Sequence, residues 1–338
     1  MRDSALAASS ILRHTLTLVG VTIIATLSCA QQNSIAAQKA SSGLNRDEAL
    51  AKLRALGVEF NEPSFLRSVD QENPALVNLF LVAGVDPNSN EMGGSTALMI
   101  AAGLHRIGTG GCVDGIIHAC YSTAKKTDKS DLDIVHLLIN GGAVVQTRDG
   151  DGETALHKAA AGGNVDIAKI LIANGADVNT RNAHGTTPMM LAALTNEETS
   201  MAELLFANGA IITDKETHSS SALLNAAAGG HLGTLRFLIS KGAYARSRNS
   251  AGTTALMEAA SGGHVEIIDF LLDRGVDLDT QDAQGNSALM YAAFNDRANC
   301  VELLLKRGAN KALTNRAGET ASAVATKREF ARIVKLLE

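Results

Sequence analysis

Four side chains between His105 and Cys120 have types that could act together: His105, Cys112, His118 and Cys120. Thiols and imidazoles are the ligands zinc takes. Structural zinc sites bring paired cysteines as Cys-x2-Cys, however, and here seven residues lie between the two thiols. The same pair, Cys112 and Cys120, suits a disulfide closing a small loop if the compartment is oxidising. The disulfide is the expected chemistry, with zinc as its alternative.

Elsewhere the reactive residues are scattered. Gly108-Thr109-Gly110-Gly111 is glycine-rich but lacks the Lys-Ser/Thr of a phosphate loop. There is no His-Glu-x-x-His helix and no Gly-x-Ser-x-Gly elbow. His231 and His264 each follow Gly-Gly at matching positions, which marks them as turn-closing scaffold. No two carboxylates form an evident acid–base couple. Cys300 falls in a helical pattern with Leu303 and Leu304 and reads as a small buried hydrophobe. The expectation is a protein without catalytic site, cofactor or bound metal.

The elements that carry these residues follow from composition and period. Hydrophobic residues make up 46% of the 338, but aromatics only 3%, so Ala, Leu, Ile and Val must fill the interior. Such small, regular side chains suit closely stacked helices. The net charge of -5 leaves no basic excess to neutralise phosphates, which argues against nucleic-acid binding.

Glycines at 142, 175, 209, 242, 275 and 308 are separated by 33, 34, 33, 33 and 33 residues. Thr154, Thr187, Ser221, Thr254, Ser287 and Thr320 move in step with them. Two markers sharing one period indicate a repeat architecture. In the unit from Gln146 to Asn179, Asp149-Gly150-Asp151-Gly152 is turn chemistry and Thr154 can cap a helix over Ala155 to Ala161. Gly162-Gly163 breaks that helix. Val165, Ala168, Leu171 and Ile172 then recur at helical spacing, and Ile167 and Ile170 add a second apolar side. Gly175 suits the left-handed position that closes the second helix. One such unit cannot bury its own faces and must stack on neighbours.

The pattern resembles the ankyrin repeat family. Gly152-Glu153-Thr154-Ala155-Leu156-His157-Lys158-Ala159-Ala160 and Asn174-Gly175-Ala176-Asp177-Val178-Asn179 match its two signature segments, and Pro188 after Thr187 matches its helix-starting proline. The resemblance covers about residues 60 to 338. It implies an all-α solenoid of helix-turn-helix units with hairpin tips and helical caps at both ends. The family's helix-one histidine is present as His157 alone; Met99, Met190, Leu224, Met257 and Met290 replace it elsewhere, so its links to threonine hydroxyls of adjacent repeats should be missing there. Ser219 and Ser220, after His218, stand where glycine is expected, and that tip should be distorted.

Residues 1–30 carry Arg2, Arg13 and His14 ahead of an uncharged run from Thr15 to Leu27, the length of a signal-peptide core. Ser28 and Ala30 offer small residues for cleavage; Cys29 alternatively suits lipidation, with the signal ending before it. An uncleaved membrane anchor is the remaining reading. Residues 31–44 read as a flexible tether, 45–57 as a capping helix, and 58–338 as the repeat domain. About 25 residues are inserted in the second repeat, over about 104–130. The expected localisation is the periplasm or cell envelope, with secretion as the alternative, and membrane contact only through the N-terminal segment.

In the family, hairpin tips and first helices contact a protein partner. The corresponding positions here are Asp151, Glu153 and Lys158; His184, Thr186 and Leu191; His218, Ser220 and Asn225; Ala251, Thr253 and Glu258; and Gln284, Asn286 and Tyr291. What the resemblance implies is a scaffold holding a protein partner, with an envelope-enzyme regulator or a secreted effector as alternatives. Tyr291, one of three tyrosines, is the expected anchor.

Overall fold

The computed structural model describes residues 43–103, 129–212 and 221–338. Residues 1–42, 104–128 and 213–220 lie outside them, and with them the signal and lipidation residues (Cys29), the Cys112–Cys120 pair, His105, His118, and the tip at His218 to Ser220. Seventeen helices are present among the described residues: α1 (Arg46–Ala55), α2 (Glu62–Asp70), α3 (Pro74–Ala83), α4 (Ala97–Gly103), α5 (Lys129–Asn140), α6 (Ala155–Ala161), α7 (Val165–Ala173), α8 (Pro188–Thr195), α9 (Ser200–Ala207), α10 (Ala222–Gly229), α11 (Leu232–Ser240), α12 (Ala255–Gly262), α13 (Val265–Leu272), α14 (Ala288–Phe294), α15 (Ala298–Lys306), α16 (Ala321–Lys327) and α17 (Ala331–Leu337). From α2 onward they alternate between a short first helix and a second helix of each unit.

From α8 onward each first helix starts at a hydroxyl, whereas α2 starts at the Asn61 amide. The side chains of Thr187, Ser221, Thr254, Ser287 and Thr320 accept the backbone N–H three residues on, satisfying a donor that the helix itself leaves open. The following turn needs a left-handed residue, supplied by Gly230 (φ 81°) and Gly263 (φ 90°). Asp296 (φ 56°) and Glu329 (φ 62°) take the same conformation without being glycine, at a cost of about 1 kcal/mol each.

First helices pack in a continuous row α2–α4–α6–α8–α10–α12–α14–α16, and each also packs on its own second helix. Alanines make the close approach feasible: Ala155, Ala159, Ala160, Ala226, Ala259, Ala260, Ala292 and Ala293 are all buried. Leu98, Leu156, Met189, Leu223, Leu256 and Leu289 form one buried column along the row. The second helices bury Ile167, Ile267, Cys300 and Ile333 at one equivalent position, where α11 places Thr234. They touch one another less extensively than the first helices do.

The N-terminal face is covered by α1, whose Asn45–Glu48 capping box fixes its start and whose Ala49 and Leu53 are buried against α3. The other end is covered by the pair α16 and α17. No described helix is long and apolar enough to cross a membrane.

Units are also tied by polar links across each boundary. His231 Nε2 donates to Leu194 O and His264 Nε2 to Ala228 O, both at 2.9 Å. Asn164 Nδ2 reaches Ala102 O at 2.9 Å, Asn196 Nδ2 reaches Ala160 O at 2.8 Å, and Arg297 Nε reaches Ser261 O at 3.0 Å. In each case a side chain from one turn satisfies a carbonyl at the C-terminal end of the preceding unit's first helix, where no intrahelical donor exists. The scaffold reading of His231 and His264 therefore acquires a specific role.

His157 differs from the expectation in detail. Its Nδ1 lies 2.9 Å from the hydroxyl of its own Thr154, and Nε2 lies 3.1 Å from the backbone carbonyl of Thr186 in the next unit. The inter-repeat tie therefore runs to a carbonyl, not to a threonine hydroxyl. Met190, Leu224, Met257 and Met290 fill the equivalent place in other units and are buried.

Candidate functional site

The hairpin tips project beyond the first helices, and short antiparallel bridges set three of them: Asn90 with Thr96, Arg248 with Thr254, and Gln281 with Ser287. A ladder of backbone hydrogen bonds joins successive tips. Gly150 N donates to Gly93 O at 2.7 Å, Ala183 N to Asp151 O at 2.8 Å, Ala283 N to Ala251 O at 2.8 Å, and Arg316 N to Gln284 O at 2.9 Å. These bonds fix the spacing between the described tips that they join. Gly152 is required twice over: its φ is +74°, and a Cβ there would lie 2.9 Å from Ala183 N.

Five of the described tips are shaped by an Asp or Asn side chain. Asp149, Asn182, Asn249, Asp282 and Asn315 recur along the chain, and each accepts backbone N–H groups of its own hairpin through Oδ1. Sequence reasoning missed these residues, although they recur with the glycine period.

The candidates fall into three groups. Asp151, His184, Ala251 and Gln284 are exposed at the tips. Lys158, Thr186, Asn225, Glu258, Asn286 and Tyr291 are half-buried around the palm. Glu153, Leu191 and Thr253, expected on the open surface, are instead buried, 7%, 4% and 8% exposed. The reason is lateral packing. At Glu153 the neighbouring unit closes over the side chain, which accepts from Asn182 Nδ2 of the next unit at 3.2 Å as well as from Lys158. His218 and Ser220 lie outside the described residues.

Electrostatics differ sharply along the palm. Lys158 Nζ lies 2.5 Å from Glu153 Oε2 and 2.9 Å from Asp149 Oδ2. Burial pulls its ammonium down, but the charges and hydrogen bonds of the two carboxylates outweigh that and hold Lys158 above the ordinary lysine range. Below it, burial lowers the His157 pKa and keeps the imidazole neutral. Glu258 is the reverse case: burial raises its carboxyl, and no cation among the described residues opposes the effect. Tyr291 is pushed up, first by burial and then by the bond its hydroxyl donates to Asp282 Oδ2 at 2.7 Å. At the far end, Arg328 lies 4.2 Å from the centre of the Phe294 ring, which is 46% exposed.

Cys300 is buried, and burial pushes its thiol up to about 11, the state of an inert hydrophobe. No group of three or more His, Cys, Asp or Glu residues among those described is placed to hold a metal ion.

The family profile for ankyrin repeats in three copies matches residues 118–216, 196–282, 223–315 and 275–337. Among solved structures, the crystal structure of the human ASB11 ankyrin repeat domain is similar at a TM-score of 0.54 and 26% identity, covering 60% of this chain and 90% of that one. No curated protein matches the chain. Repeats of this kind are, in general, non-enzymatic modules for protein–protein interaction.

Proposed function

The chain belongs to the ankyrin repeat family, and from that premise we propose that it is a scaffold holding one protein partner against its hairpin tips and palm. The observation that carries this reading is the palm column itself. Lys158, Leu191, Asn225, Glu258 and Tyr291 occupy one equivalent position in five successive units. They share neither charge nor shape, and all but the buried Leu191 are partly open to solvent, while the Ala and Leu positions beside them barely change. A constant frame with a variable face is what selective recognition requires.

The N-terminal pattern adds a location. The charged start, the apolar run from Thr15 to Leu27 and the small residues around Cys29 support export, with release after Ala30 or lipidation of Cys29. The mass of the mature N-terminus distinguishes them. On this reading the partner is a protein of the envelope or one met after secretion, and the chain shields it or links it to another component.

The test is affinity capture from the native envelope fraction, followed by mass spectrometry. A palm variant carrying Asn225→Ala, Glu258→Gln and Tyr291→Ala should lose the captured protein. A control variant on the second-helix face, Lys169→Ala with Glu266→Gln, should keep it. Equal retention by both variants rejects the palm as the binding surface. A change in the partner's catalytic rate on binding would favour the regulator reading over simple holding.

A further inference from the structure

One unit of the row is charged unlike the rest. From Ser221 to Thr254 it holds Arg236, Lys241, Arg246 and Arg248 and no Asp or Glu, within a chain whose net charge is -5. All four cations are exposed, on α11 and the loop that follows it, and Tyr244, between Lys241 and Arg246, is 72% exposed. Among the described residues none of the four forms an ion pair. The carboxylates of the next unit are engaged elsewhere. Asp269 and Asp273 pair with Arg307, Asp277 accepts from the Thr280 hydroxyl at 3.1 Å, and Asp279 accepts from the Asn310 N–H at 2.9 Å.

The scaffold does not require this charge. Arg246 Nη2 donates to Gly275 O of the next unit at 2.6 Å. At the equivalent place in other units a neutral amide makes the same bond: Asn88 to Gly142 O at 3.3 Å, Gln146 to Gly175 O at 2.8 Å and Asn179 to Gly209 O at 3.0 Å. Tyr244 stands where Asp86, Asp177 and Asp277 accept the N–H two residues on, so this unit gives up a turn bond and exposes a ring instead. Arg248 makes only a long contact, 3.4 Å, to the Thr280 hydroxyl. Each of the two guanidiniums is thus held through one nitrogen to the loop at 275–280, and its other N–H groups face no acceptor among the described residues. Lys241 and Arg236 lie against rings, 5.5 Å from the centre of Phe206 and 5.0 Å from that of Phe270, which positions their charges without neutralising them.

We propose that this outer edge of the unit, away from the first helices of the palm, is a second docking surface, and that its occupant is an acidic segment of a protein. Carboxylates of the segment take the open N–H groups of Arg246 and Arg248 and approach Lys241, and an apolar side chain beside them covers the Tyr244 ring. Width decides between a peptide and a broader anionic partner. In the flanking units Glu203 and Asp269 occupy the place of Arg236, and in the next unit Asp277 and Asp279 occupy those of Tyr244 and Arg246. A membrane or a nucleic acid laid across the row meets those carboxylates, whereas a segment lying along one unit does not.

The probe is a short glutamate-rich peptide carrying one leucine, compared with the same peptide in which glutamine replaces glutamate. In titrations followed by amide chemical shifts of the labelled full chain, the glutamate peptide should shift amides of α11 and of Tyr244 to Asn249. It should bind about tenfold tighter than the glutamine peptide, and the preference should shrink as salt is raised. Arg246→Gln with Arg248→Gln retains an amide able to reach Gly275 O, as Gln146 reaches Gly175 O, and should bring the glutamate peptide down to the glutamine level. Lys306→Gln with Arg316→Gln removes the same charge from another part of the row and should leave binding unchanged. A melting temperature close to that of the parent shows that the arginine variant is folded. Equal binding of the two peptides, equal losses in both variants, or shifts confined to the palm overturn the proposal. Phosphatidylglycerol vesicles or single-stranded DNA binding more tightly than the glutamate peptide through the same arginines would make this a membrane or nucleic-acid surface and overturn it too.

Discussion

The hydroxyl of Tyr291 donates to Asp282 Oδ2 at 2.7 Å, and this bond joins the palm of one unit to the base of its own hairpin. The residue proposed as an anchor for a partner therefore also braces its own tip. The two roles separate by mutation. Tyr291→Phe keeps the ring and removes the bond, and should lower stability by about 1 kcal/mol in urea unfolding. Tyr291→Ala removes the contact surface as well, and should weaken partner binding about 5- to 30-fold. A dissociation constant unchanged in Tyr291→Ala removes it as an anchor.

Glu258 makes stability depend on pH in a direction unusual for a carboxylate. Burial raises its pKa in the folded chain above its unfolded value. The folded state therefore holds the proton more tightly, so this contribution is complete below the unfolded pKa of about 4.3 and is lost as pH rises through the folded one. Glu258→Gln should show a higher urea midpoint than the parent at pH 7, and the two should converge near pH 4. His157, whose pKa is lowered, acts in the opposite sense, losing stability as pH falls below about 6.5, but it is common to both chains and cancels in the comparison. A variant less stable than the parent at pH 7 contradicts the uncompensated charge.

Gly152→Ala tests the ladder between tips. The substitution meets a positive φ of 74° and a Cβ only 2.9 Å from the backbone nitrogen of Ala183. A cost of about 2 kcal/mol is expected. The amide of Ala183, which donates to Asp151 O, should exchange faster than the amides inside α8. Unchanged protection at Ala183 would mean that the tips are not coupled.

Thr234 is fully buried at a position where other second helices place Ile167, Ile267 and Ile333, and its hydroxyl has no hydrogen-bond partner. Thr234→Val removes that polar atom at nearly constant volume and should stabilise the chain by about 1 kcal/mol. A loss of stability would show that the hydroxyl is satisfied in solution.

Cys300 occupies the same column. With the thiol buried and its pKa raised to about 11, peptide mapping after brief alkylation at neutral pH should find Cys300 unmodified in the folded chain and labelled in denaturant. Rapid labelling of the native chain contradicts the packing of α15.

Much of the fold is legible because its signals are local. The caps at Thr187 or Ser287, the closing glycines and the apolar spacing of Ile167, Ala168 and Leu171 each act within one turn of chain, so α6 spans the Ala155 to Ala161 stretch expected from sequence. The candidate surface was less legible. Leu191 and Thr253 have side chains that suit either side of a helix or hairpin, and only the adjoining unit decides whether they are covered. The tip ladder escaped notice because its donors and acceptors are backbone atoms, which no residue type reveals.

By itself, the sequence determined the unit: its period, its two helices, where each begins and ends, and that units must stack to hide their alanine and leucine faces. Only the tertiary structure decided which palm charges are neutralised. Lys158 finds two carboxylates at 2.5 and 2.9 Å, whereas Glu258 finds no cation among the described residues. Coulomb energy and desolvation depend on distances and burial that are set only when hairpin folds against helix and neighbouring units pack, as where Asn182 of the next unit closes over Glu153.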